Sequence, residues 1–206
     1  MALNAPVYVP PVSPEQVAVP AVISVQNMVH RYDNRTALNS VSFDVQPAEL
    51  FGLLGPNGSG KTTLFRILST LMVPVGGRAV ILGHDVATDP NGLRHKIGVV
   101  FQAQSIDVKL TAAENLMHQG HLYGLRGSPL KRRIGEMLGR VGLSDRAKEK
   151  AETFSGGMQR RLELAKGLLH HPRVCCWMSR LLGSIPARGV MSGSICACCA
   201  MKSASL

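Results

Sequence analysis

Two hydrophobic periods alternate along the chain. In "AVISVQNMVHRY" and "ALNSVSFDVQ" apolar and polar residues take turns, with many β-branched side chains, and this predicts two strands of one antiparallel region. "ELFGLLG" is a short apolar run ahead of glycines, the pattern of a buried strand. "KTTLFRILSTL" then switches to helical spacing, and "GRAVILG" and "IGVVFQ" return to strand. "AAENLMHQGHLYGL" and "LKRRIGEMLGRVGL" predict two amphipathic helices, the second closed by Gly142. "SGGMQRRLELAKGLLHH" predicts a third, with Ser155 placed as its N-cap. A last strand begins at Arg173. Residues 1–20 contain "APVYVPPVSPEQVAVP", which has no helical period and reads as an extended, largely disordered lead.

Composition sharpens the division. The chain has 206 residues, enough for one domain with a sizeable core plus tails, and 45% of them are hydrophobic. No apolar run reaches the length of a transmembrane helix, so a membrane role calls for a partner. No basic segment followed by an apolar stretch opens the chain, so no secretion signal is expected. Net charge is +10, and Lys131, Arg132 and Arg133 form the densest basic run. A nucleic-acid or lipid patch is one reading of that run; a solvated helix face is the other, and the scarcity of aromatic residues gives base stacking little support. All five cysteines fall after position 174, and no Asp or Glu follows Glu163. The text of the chain therefore changes near Val174.

One motif carries chemistry by itself. "GPNGSGKTT" places Gly55, Gly60, Lys61 and Thr62 at the fixed positions of G-x-x-x-x-G-K-[ST], between a predicted strand and a predicted helix. Glycines let backbone N–H groups turn inward around a polyphosphate, and the helix N-terminus points its positive end at the same anion. Lys61 supplies a flexible cation for the terminal phosphates. Thr62 offers a hydroxyl to Mg²⁺, which takes hard oxygen ligands. Asn57, Gly58, Ser59 and Thr63 complete the candidate cradle.

Three weaker features narrow the class. "FSGGMQRR" precedes a helix and offers Ser155, Gly156 and Gly157 as a second anion site at a helix start. Gln102 ends a predicted strand, where it can hold a metal ion or water. Tyr32 precedes the cradle in the β-rich section, where it stacks on a purine ring or serves as a half-buried strand aromatic. In this order, Tyr32, Gly55–Thr63, Gln102 and Ser155–Gln159 resemble the adenine-stacking loop, Walker A, Q-loop and signature of ABC transporter ATP-binding subunits. "FQAQSIDVKLTAAENLMHQGHLYGL" is similar to the multidrug and daunorubicin-resistance exporter type. The resemblance covers about residues 22–174, with Phe154 and Met158 as departures within the signature.

The resemblance implies an α/β P-loop NTPase fold: a parallel core sheet with helices, an antiparallel β subdomain and a helical subdomain, incomplete at its C-terminus. It implies a partial nucleotide-binding domain over residues 21–174, followed by a poorly ordered tail over 175–206. It also implies ATP and Mg²⁺ as cofactors, with Thr62 and Gln102 on the metal side. Ser155, Gly156, Gly157 and Gln159 would contact ATP across a sandwich with a homodimer mate or a second ATPase chain. A separate membrane permease would be the working partner, the location would be cytoplasmic at the inner face of the membrane, and no specific nucleic acid is expected. A non-transport regulator acting on nucleic acid or the ribosome is the alternative, weakened by the presence of one cassette and no long coiled-coil insertion.

The family's next strand ends Asp-Glu-Pro-Thr, and here it does not. Met178 and Ser179 stand where the metal-orienting Asp and the general-base Glu would, so ATP binding is expected to survive and hydrolysis to be poor or absent. No His follows His171 either. The genetic code offers a reason: one nucleotide out of register, the codons of "CCWM" spell Leu-Leu-Asp, an AGY codon for Ser179 continues this to Glu, and with C as its last base and CGN for Arg180 the next residue is Pro. Residues 175–206 are then an out-of-frame tail. The rival, a metal site at Cys196, Cys198 and Cys199, lacks zinc-site spacing.

Overall fold

The computed structural model describes residues 20–180 and 194–200, the last seven and residues 179–180 by their backbone alone. All but Pro20 of the lead expected over residues 1–20 lies outside the described residues. So do 181–193 and 201–206 of the tail expected from residue 175. The chain forms two compact units, Met1–Ile97 with Arg173–Leu206, and Gly98–Pro172.

In the first unit β1 (Ile23–Tyr32) and β2 (Arg35–Val45) pair antiparallel across a tight turn, as their alternation predicts. β4 (Gly76–Ile81) adds to the other side of β1, and β5 (His84–Asp85) to β4, both antiparallel. The order β2-β1-β4-β5 buries Ile23, Val25, Met28, Phe43, Ala79 and Ile81 on one side. Bulges break the β1 ladder between Val25 and Met28, where Asn27 takes a positive φ of 47°.

The second sheet has the order β3-β8-β7-β6, with β3 (Leu50–Leu53), β6 (Ile97–Val100), β7 (Val174–Arg180) and β8 (Ser194–Ala200). β3 and β7 are each antiparallel to β8, so they run in the same direction on either side of it. The ladder runs from Leu50↔Cys199 to Leu53↔Cys196, and from Val174↔Ala200 to Arg180↔Ser194. The start of β7 is also held by Lys96, whose carbonyl accepts from Arg173 N at 2.8 Å. α1 (Lys61–Leu68) follows β3 and buries Leu64, Phe65, Ile67 and Leu68. It stops where Thr70 turns to a φ of 61° and Leu71 N bonds back to Arg66 O. A short helix, α2 (Pro90–Arg94), starts on Asp89, which accepts from Gly92 N. It has the sequence signals of a helix start, an Asp N-cap followed by Pro at the first position.

The second unit is helical. α3 (Ala112–Leu122), α4 (Gly127–Arg140) and α5 (Gly156–Leu168) enclose Leu116, Leu130, Ile134, Met137, Leu138, Leu143, Phe154 and Leu162. α3 opens with a capping box in which Thr111 and Glu114 satisfy each other's backbone N–H. Arg133, from the basic run of α4, is buried rather than solvated. It donates to the Leu168 and Leu169 carbonyls, which end α5, at 3.0 Å each. Its neighbours Lys131 and Arg132 are exposed, so the basic run splits between a solvated face and an internal cap. Among the described residues no helix is long and apolar enough to cross a membrane.

Candidate nucleotide site

β3 delivers the chain into a loop and α1 takes it away, so the cradle's geometry is fixed at both ends. The N-cap of α1 is Gly60, with φ +88° and ψ −5°. A Cβ at Gly60 would sit 2.2 Å from Ala37 O and 2.9 Å from the Leu38 side chain, so only glycine fits there. Gly58 also has a positive φ, 83°, and a Cβ on it would lie 2.7 Å from Arg35 Nη2. Gly58 and Gly60 are therefore set by backbone conformation and by the approach of β2.

Lys61 is buried, and its ammonium bends back over the loop. It donates to Gly55 O at 2.7 Å, Pro56 O at 2.6 Å and Ser59 Oγ at 3.0 Å. Tyr32 is 40% exposed at the end of β1; its hydroxyl lies 3.3 Å from Thr63 Oγ1 and its ring meets His30 edge-on. Tyr32, Arg35 and Ala37 of the β1–β2 hairpin line an open cleft together with Asn57, Gly58, Gly60, Lys61, Thr62 and Thr63. An exposed ring beside a glycine-rich loop at a helix start suits a base and a phosphate chain in one ligand.

Arg35 is the cleft residue that the motif reading missed. It faces Tyr32 across the turn and donates from Nη2 to Gly58 O at 3.0 Å. Its sequence signal is faint: a basic residue three positions after Tyr32, which matters only once the hairpin folds over the loop.

The metal side of the cleft departs from the Mg²⁺ expectation. Thr62 Oγ1 donates to Met178 Sδ at 3.8 Å, and Met178 is 7% exposed. A thioether is a soft, weak donor, whereas Mg²⁺ takes hard oxygens in near-octahedral geometry. Met178 lies against the first turn of α1, where an acid would be needed, and its thioether does not fit Mg²⁺.

Gln102 and the signature belong to the second unit and are joined there. Gln102 is half-buried just beyond β6. In the same loop, Phe101 O accepts from Arg160 Nη1 at 2.7 Å, Gln104 Nε2 donates to Gln159 Oε1 at 2.8 Å, and Ser105 N donates to Glu163 Oε1 at 2.8 Å. Glu163, 5% exposed, also pairs with Arg160 at 2.7 Å. Gln159 therefore has partners inside the unit, including the Ala151 carbonyl at 3.0 Å. Ser155 caps α5 by accepting from Met158 N at 3.3 Å, and Ser155, Gly156 and Gly157 are exposed. Glu163 and Arg160 are a second omission of the sequence reading; an acid flanked by leucines at mid-helix, three residues after an Arg, was the available sign.

The family model described as ABC transporter matches residues 38–177. The chain is 39% identical over 153 residues to a linearmycin resistance ATP-binding protein of Bacillus subtilis, covering 74% of this chain and 49% of that protein. It is 45% identical over 138 residues to a doxorubicin resistance ATP-binding protein of Mycobacterium tuberculosis, covering 67% of this chain and 42% of that one. A daunorubicin/doxorubicin resistance ATP-binding protein of Streptomyces peucetius is 37% identical over 150 residues, 73% of this chain and 46% of its own length. The chain spans about half the length of the curated relatives it matches.

Proposed function

The chain belongs to the ABC transporter family, and on that premise we propose that it binds ATP as the nucleotide-binding subunit of a drug-resistance type exporter. A separate membrane permease carries the substrate, and a second ATPase chain or a second copy completes an ATP sandwich at the inner face of the membrane. The cleft between the Tyr32–Arg35 hairpin and the Asn57–Thr63 loop is the observation that carries this reading. Within it, Tyr32 takes the adenine ring, the Gly55–Lys61 backbone takes the phosphates, and Lys61 swings from its loop carbonyls to the terminal phosphate. Ser155, Gly156 and Gly157 are exposed at the start of α5, as a contact to a second chain's nucleotide requires. Gln102 belongs to the same proposal as the residue that senses the terminal phosphate.

Hydrolysis is a separate matter. Met178 and Ser179 carry neither a metal-orienting carboxylate nor a base for water, so the chain binds ATP without turning it over efficiently.

The test is equilibrium binding of ATP to the full chain, read by displacement of a fluorescent ATP analogue, for the wild type and for Lys61→Ala. Lys61→Ala weakens binding at least about tenfold, a loss of about 1.4 kcal/mol. Equal affinity for the two chains would remove the cradle assignment.

A further inference from the structure

Among the described residues the cleft is lined by two cations and by no carboxylate. Lys61 and Arg35 both line it, and the described acids of the first unit, Asp33, Asp44, Glu49, Asp85 and Asp89, do not. The strand that passes beneath α1 cannot contribute one, because no Asp or Glu follows Glu163 in the whole sequence. The Thr62 hydroxyl is directed at Met178 Sδ, and the burial of Met178 holds the thioether in place. Mg²⁺ riding on a triphosphate would therefore meet, beside the Thr62 hydroxyl, a sulfur it does not ligate and two positive side chains.

We infer that this cleft takes ATP as the metal-free anion and that Mg²⁺ weakens binding instead of supporting it. The inference rests on the nucleotide-binding reading above and adds the form of the ligand. Lys61, Arg35 and the N–H groups at the start of α1 neutralise the phosphate chain directly. Mg²⁺ chelated by the phosphates removes negative charge that these groups would otherwise pair with, and the protein returns no oxygen ligand from an acid. Met178 is the residue that sets this preference.

The experiment is isothermal titration of ATP into the full chain at matched ionic strength, once in excess EDTA and once in excess MgCl₂. The expected Kd in EDTA is lower than that in Mg²⁺, by up to about tenfold. Met178→Asp, confirmed as folded by circular dichroism, reverses the order and binds about tenfold more tightly in Mg²⁺ than in EDTA. Wild-type binding that is as tight or tighter in Mg²⁺ overturns this inference and leaves the nucleotide site standing. Binding in neither buffer overturns the nucleotide site and this inference with it. A folded Met178→Asp chain with equal affinity in both buffers removes Met178 as the cause and overturns the inference, and the wild-type pair decides the question alone if that variant does not fold.

Discussion

At Gly60 the backbone enters α1 with φ +88°, and the carbonyl of Ala37 leaves no room for a side chain. Gly60→Ala therefore combines a left-handed alanine, about 1–2 kcal/mol, with a steric overlap that β2 must move to relieve. The expected outcome is a urea unfolding midpoint lowered by at least about 2 kcal/mol of stability, together with weakened ATP binding; a loss below about 0.5 kcal/mol would show that β2 yields freely. Gly60, Lys61 and Thr62 were legible because their motif is local: nine consecutive letters specify the loop and its helix. Arg35 was not, since its place depends on a cross-strand register with Tyr32 and on the approach of the hairpin to Gly58. Met178 was legible as a missing acid, but its bond with the Thr62 hydroxyl required the fold.

Elements show the same divide between local signal and distant partner. α3 is fixed by Thr111 and Glu114, and Thr111→Ala removes a cap worth about 1 kcal/mol, to be checked by chemical denaturation. The Thr111 backbone N–H, and then its hydroxyl, hold the Glu114 carboxyl below the ordinary glutamate range. With the native carboxyl lowered, the unfolded chain binds its proton first as pH falls. The stability from this box is complete above the ordinary glutamate value and is lost as pH drops through the lowered native one. Glu114→Gln flattens that part of the acid-side decline, measured as the thermal midpoint at neutral pH against about pH 4. An unchanged slope would remove Glu114 from acid sensitivity. The strands β1 to β4 and helices α1, α3, α4 and α5 were all readable from period and caps. β5 has two residues, too few for a period, and α2 has five. The Arg160–Glu163 pair that joins the Gln102 loop to α5 depends on residues roughly sixty positions apart, a distance no local pattern spans.

For the whole molecule, fold class and family were readable, whereas the neighbours of β3 were not. The switch from β-rich text to strand–helix text marked an α/β chain, and the resemblance carried by Gly55–Thr63 and its companion motifs implied the P-loop architecture. What the switch could not give was β8, since strand pairing with a segment so remote has no local signature. Activity also belongs to this scale. With no acid after Glu163, ATP turnover by the full chain is expected at the uncatalysed background, and phosphate release at a rate ordinary for an ATPase would refute the account of Met178 and Ser179. β8 has a consequence in time as well as in space. Leu50 finds its partner in Cys199, so the strand that feeds the nucleotide loop acquires that neighbour only after residues 194–200 have been synthesised. Pairing over such a separation closes a long loop and is slow, so during translation the β1–β2 hairpin and the helical unit can form while β3 stays an open edge. The nucleotide cradle is thus encoded early in the chain and completed late.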